Sequence, residues 1–152
     1  MRKIIIGGDH ASPELKQEVI AHLTKKGYEV ENVGTDTADS CDYPLFAHKA
    51  CQRVLAEKDA LGILICGTGV GISIAANKHK GIRAACCSDT FSARLTRIHN
   101  NANVLCFGAR VVGAGLALDL VDAFVEAEFC GEERHQRRID LITAIEDGRI
   151  DK

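Results

Sequence analysis

Residues 61–76 read LGILICGTGVGISIAA, and their pattern decides the architecture. Ile63, Leu64 and Ile65 form a continuous apolar run of the kind buried on both faces of a parallel sheet, ending at Cys66. Gly67, Gly69 and Gly71 follow at every second position, so the chain can turn sharply there and bring its amides close to a bound group. A short helix is expected from about residue 72 to 77. Strand, glycine loop and helix in this order place Cys66 where open α/β sheets bind ligands, beyond the carboxyl end of a strand.

The pattern repeats outward from that centre. Upstream, residues 3–8 predict a first strand leaving through Gly7-Gly8-Asp9-His10, and Ser12-Pro13-Glu14 carries helix-start chemistry. Leu15, Val19, Ile20 and Leu23 stripe that helix until Gly27. Tyr28, Val30 and Val33 alternate with polar residues, as in an edge strand, and a polar loop over 34–40 precedes a second helix opened by Asp42-Tyr43-Pro44. Ala47, Cys51, Val54 and Leu55 form its apolar side. Downstream, residues 82–87 predict a fourth strand and Ser88 or Asp89 caps a helix through His99. Residues 104–107 predict a fifth strand. Leu116, Leu120, Val121, Phe124 and Val125 pattern one further helix, and Ile139, Ile142 and Ile145 a last one. The expected fold is α/β: a three-layer α/β/α arrangement around a five-stranded parallel sheet of flavodoxin-like order 2-1-3-4-5, with a C-terminal helix. That order brings Asp9-His10 and Cys66-Gly67 to one crevice.

With 152 residues, 46% of them hydrophobic, the chain suits a single domain over 1–152 with a substantial core. A net charge of −2 gives no general reason to expect nucleic acid as a partner, and no window approaches a membrane span. The start MRKIIIGGDH has too short an apolar run for a signal peptide and reads as a first strand of a cytoplasmic protein. Seven cysteines without a CxxC pair or Cys/His metal spacing point to reduced thiols, with Cys86, Cys87 and Cys106 packed in strands.

Cys66 is either a small buried residue or a reactive thiol. Its place before an amide-rich loop and a helix start favours chemistry, with the amides of Gly67, Thr68, Gly69, Val70 and Gly71 available to an oxyanion. The same loop invites a dinucleotide reading, with Asp89 as ribose-binding acid. The spacing is GxGxG, however, Ile72 replaces the last fingerprint glycine, and the loop follows the third strand instead of the first. Asp9-His10 is a turn pair on its own terms, His99 a helix C-cap or an acid/base group. Arg134 and Arg138, four apart on a helix face, belong either to a solvated charged helix or, with Arg110, to an anion site.

Taken together, GGDHAS at 7–12, DYP at 42–44, ICGTGVGISIAANK at 65–78, RLTRIHNNANVLCFGARVVG at 94–113 and RHQRR at 134–138 resemble the ribose-5-phosphate isomerase B family over nearly the whole chain. The resemblance implies aldose-ketose isomerisation of a sugar phosphate through an enediolate, with no metal and no organic cofactor. It implies a homodimer or dimer of dimers with shared sites, and Cys66 marks the cysteine type of the family. Carried over by position, Cys66 is the base, and Thr68 and His99 assist ring opening. Asp9 contacts the sugar oxygens and aids proton movement as a catalytic residue, and Gly67, Gly69, Val70 and Gly71 offer amides to the enediolate. Tyr43 and Asn100 line the substrate, while His10, Arg110, Arg134 and Arg138 hold the phosphate, with the arginines expected from the neighbouring subunit. The implied reaction interconverts D-ribose 5-phosphate and D-ribulose 5-phosphate, with D-allose 6-phosphate as a side substrate. A hexose 6-phosphate isomerase and a non-catalytic sugar-phosphate sensor are the alternatives.

Overall fold

The computed structural model describes residues 2–150, so the first residue and the last two of the expected 1–152 unit lie outside the described residues. Five strands, β1 (Lys3–Gly8), β2 (Glu29–Asn32), β3 (Leu61–Cys66), β4 (Ala84–Cys86) and β5 (Val104–Gly108), form one sheet in which every pairing is parallel. Between and after them run α1 (Pro13–Lys25), α2 (Tyr43–Ala56), α3 (Val70–Ala76), α4 (Thr90–Asn100), α5 (Ala114–Val125) and α6 (Glu133–Glu146). The period of two along each strand sorts side chains into two cores. Ile4, Ile6, Ile63, Ile65, Leu105 and Phe107 pack with buried residues of α1, α4 and α5. Ile5, Leu64, Cys66, Val104 and Cys106 pack with α2 and α3. Each fully buried Ile or Leu here stabilises the fold by roughly 1.5–3 kcal/mol.

The strand order is β2-β1-β3-β5-β4, which corrects the expected order at its far end: β5 pairs with β3, and β4 takes the edge. The physical reason lies in what each strand has to bury. Val104-Leu105-Cys106-Phe107-Gly108 is buried at all five positions and can be covered on both faces. Ala84-Ala85-Cys86 offers three small residues, only partly covered. The reversal between β1 and β3 is unaffected, so the crevice stays where the sequence places it.

Several helix details also differ from the pattern. The buried face of α1 is Lys16, Val19 and Leu23, with Leu15 at its margin. In α2, Ala50 is buried and Leu55 is exposed. Leu116, Ile142 and Ile145 are exposed on α5 and α6. Cys86 is exposed, whereas Cys87 and Cys106 are buried as expected. Among the caps, the Asp89 side chain accepts from Ser92 N–H at 2.7 Å, which selects it over Ser88. Ser12 at the start of α1 instead donates its hydroxyl to Asp9 O at 2.8 Å, stiffening the turn after β1.

Both sheet edges are dressed. On β2, Glu31 accepts from Arg53 Nε at 2.7 Å and pairs with Lys3 Nζ at 2.8 Å. At β4, the Asn77 side chain donates to Ala84 O at 2.9 Å and accepts from Ala84 N–H at 2.8 Å, occupying both outward backbone groups of that residue.

Candidate active site

Cys66 ends β3 with its side chain buried, and Gly69 N–H donates to its Sγ at 3.1 Å. That bond requires the loop to double back within three residues. Gly69 does so at φ +82°, and a Cβ there would sit 2.7 Å from the backbone of Phe107. Val70 N–H is turned to Thr68 Oγ1 at 3.3 Å, so Thr68 is held at the exposed rim of the same loop. Arg110 lies over Gly67: its N–H donates to Gly67 O at 3.1 Å, and its guanidinium would come within 3.2 Å of a Cβ at Gly67. Tyr43, at the start of α2, rests its ring on Gly71, where a Cβ would be 2.7 Å from the ring.

Across the crevice, Asp9 N–H donates to Ile65 O at 3.2 Å, which ties the end of β1 to the end of β3. Asp9 is buried, and its Oδ1 accepts from Ala11 N–H at 3.0 Å. Asp9, His10, Cys41, Asp42, Tyr43, Pro44 and Leu45 line a cleft of about 580 Å³. Cys66, Thr68, Asp9, His10, Tyr43, Arg110 and the loop glycines therefore gather at the carboxyl end of the sheet. Cys41 belongs there as well, which sequence reasoning missed because nothing in a polar loop marks the residue that folds back onto a histidine.

The remaining expected residues are elsewhere in the protomer. His99 and Asn100 end α4, which runs back toward the amino ends of the strands, and Asn103 O accepts from Gly62 N–H at 2.8 Å near the start of β3. Gly62 pairs with Val104 and Cys66 with Gly108, so this end lies about 13 Å from the Cys66 end along the strands. His135 stacks on His99 with ring centroids 4.3 Å apart and planes 7° from parallel. Arg134 and Arg138 flank it on the exposed side of α6, and Glu132 accepts from Arg134 Nε at 2.8 Å. Burial first, then the neighbouring His99 and Arg134, hold the buried His135 imidazole below its usual range, and its Nε2 has no hydrogen-bond partner among the described residues. The expected residues thus fall into two groups at opposite ends of the sheet.

Three thiols outside the crevice are buried in the core. Burial pushes Cys51 up to about 12 and Cys87 up to about 11, and raises Cys106 well above the ordinary thiol value, so these stay protonated packing groups. Cys130, Glu132 and His135 bring potential ligand atoms within 4.8 Å of one another. Glu132 is already engaged by Arg134, and with Arg138 nearby the positive field opposes a dication.

A parallel doubly wound sheet with a thiol and a lined cleft at its switch point is the arrangement in which α/β proteins bind small ligands. A family profile described as Ribose/Galactose Isomerase matches residues 4–142, and the chain belongs to that family. Ribose-5-phosphate isomerase B of Escherichia coli (strain K12) is 52% identical over 149 residues, covering 98% of this chain and 99% of the relative. A solved ribose-5-phosphate isomerase B from Clostridium thermocellum superposes with a TM-score of 0.93 at 50% identity, covering 97% of this chain and 99% of that one. Another, from Mycoplasma genitalium with bound ribulose-5-phosphate, gives 0.90 at 42% identity over 95% of this chain and 96% of that one. Among the described residues, no helix is long and apolar enough to cross a membrane.

Proposed function

We propose that this chain interconverts D-ribose 5-phosphate and D-ribulose 5-phosphate, with Cys66 as the base that removes the proton at C2 and returns it at C1. The observation that carries the reading is a buried thiol held by the Gly69 amide at the switch point, beside the Asp9-His10 cleft. Removing the C2 proton leaves an enediolate whose oxygen needs donors already in place. Gly69 and Val70 have their amides engaged by Cys66 and Thr68, so the loop must offer that oxygen its remaining N–H groups, at Gly67, Thr68 and Gly71. Asp9 contacts the sugar hydroxyls, Tyr43 walls the cleft, and Thr68 with His99 assists opening of the furanose ring.

Phosphate binding falls to His10 and Arg110 from one half-site and to Arg134 and Arg138 from the other, with Asn100 beside the substrate. Because the half-sites lie at opposite ends of a protomer, a second copy of the chain must complete each site, which favours a homodimer or a dimer of dimers. All seven thiols are free, in keeping with a reducing cytoplasmic setting. D-allose 6-phosphate is the expected side substrate.

The experiment is a coupled isomerase assay on a panel of pentose and hexose phosphates with the wild type and Cys66→Ala. Turnover of ribose 5-phosphate, lost by at least about 100-fold in the variant, supports the reading. Preference for a hexose 6-phosphate would reassign the substrate, and saturable binding without turnover would make the protein a sensor. A Cys66→Ala variant that turns over like the wild type would remove the thiol from its role.

A further inference from the structure

The loop between β2 and α2 returns to the turn after β1 at both of its ends. At its start, Thr35 N–H donates to Gly8 O at 3.2 Å, and a Cβ at Gly34 would be 2.5 Å from Gly8 N. The same stretch is tied by Lys16, a lysine in the buried stripe of α1, whose fully buried ammonium donates to Asn32 Oδ1 at 2.9 Å and Asp36 Oδ1 at 2.5 Å. A lysine is costly in such a stripe, and nothing in the proposed chemistry uses it. At the loop's other end, Cys41 N–H donates to His10 Nδ1 at 3.2 Å, with Cys41 Sγ 3.8 Å from the same nitrogen.

A neutral imidazole carries one proton. A ring nitrogen that accepts a hydrogen bond from a backbone amide cannot carry it. The Cys41 amide therefore assigns the proton of neutral His10 to Nε2 and leaves that nitrogen as the ring's donor. A backbone amide is a donor that cannot reverse its role, in contrast to a hydroxyl or another histidine. We propose that Cys41 is the positioning residue for His10: its backbone amide holds the imidazole in the Nε2–H form and fixes its orientation in the cleft, with Lys16 anchoring the loop that brings the amide there. This rests on His10 being a phosphate ligand as far as the kinetics are concerned. The tautomer itself does not depend on that reading.

The test is nitrogen-15 NMR of the histidine side chains at a pH above the range in which imidazole protonates, on the wild type, Cys41→Ala and Cys41→Pro, with ligand-free protein. The expected result is a single Nε2–H form of His10 in the wild type, unchanged in Cys41→Ala, which keeps the amide. Cys41→Pro removes the N–H and should give a mixture of tautomers. With ribose 5-phosphate as substrate it should raise KM about tenfold with little change in kcat. A wild-type His10 protonated on Nδ1 overturns the proposal, as does a tautomer change in Cys41→Ala, which would make the thiol the donor. Both of those measurements stand even where Cys41→Pro does not fold. A Cys41→Pro protein that keeps the pure Nε2–H form and the wild-type KM overturns it equally. Absence of isomerase activity in the wild type would refute the proposed reaction and leave the tautomer result to decide this inference alone.

Discussion

Replacing Gly69 by alanine tests the geometry on which the thiol depends. The residue lies at φ +82°, a conformation that costs an L-residue about 1–2 kcal/mol. The new methyl group would also stand 2.7 Å from the Phe107 Cα and carbonyl carbon and 3.0 Å from Cys86 Sγ. The sulfur can rotate away, but the Phe107 backbone is fixed in β5, so crowding adds about 1–3 kcal/mol. The sum is roughly 2–5 kcal/mol, which for a chain of this size lowers Tm by roughly 5–15 °C. If the loop relieves the overlap by shifting, the Gly69 amide moves off Cys66 Sγ, and a displacement near 1 Å costs about 100-fold in kcat. Circular dichroism melts and coupled-assay kinetics measure the two effects. Gly115→Ala is the control: nothing lies within 4 Å of a Cβ there, and in the first turn of α5 the change should stabilise by about 0.5–1 kcal/mol. A Gly69→Ala protein that melts with the control and keeps wild-type kcat would refute both the strain and the role of the amide.

Two further outcomes follow from the geometry. Cys66→Ala and His99→Ala proteins, each inactive alone, should regain activity when unfolded together and refolded, because mixed dimers contain a site with both native residues; random pairing restores about a quarter of the sites, and no recovery would place both residues in one protomer's site. Hydrogen bonds from Arg53 and then Lys3 lower the Glu31 carboxyl to about 2 from the usual 4.5. A depressed folded-state value means that its contribution to stability is complete above about pH 5 and disappears as the pH falls toward 2. The Tm advantage of the wild type over Glu31→Gln should therefore shrink across that window, and a constant difference in acid melts would show that the ion pair does not set it.

How much was legible in the sequence varied with how locally each feature is determined. Ile63-Leu64-Ile65 before a run of alternate glycines is a local pattern, and it correctly located β3, the loop and Cys66. Asp9-His10 followed from the reversal between β1 and β3. The β4/β5 order depends on a comparison of two strands for one interior position, and the expected run over 82–87 overstated a strand that spans only Ala84–Cys86. Leu55, Leu116, Ile142 and Ile145 fit helical periodicity but remain exposed, because periodicity marks an apolar face without saying what covers it. The separation of His99, Asn100, Arg134 and Arg138 from Cys66 within one protomer has no signature in local pattern. The resemblance grouped them with Cys66, and in the fold the antiparallel run of α4 carries His99 and Asn100 to the far end of the sheet, where α6 sets Arg134 and Arg138 beside the stacked His99–His135 pair. Lys16 and Cys41 could not be found by pattern, since their partners are brought to them only by the fold of the loop.

The Asn77 side chain at the edge of β4 has a consequence for assembly. Its amide supplies one donor and one acceptor to Ala84, as a neighbouring strand would, so it acts as a single-residue stand-in for a sixth strand. A sheet edge closed in this way is a poor template for growth by strand addition, which guards the protein against fibrous association on that side. The second copy required by the proposed function would then dock through helices and loops, surfaces whose side chains can discriminate one partner from another.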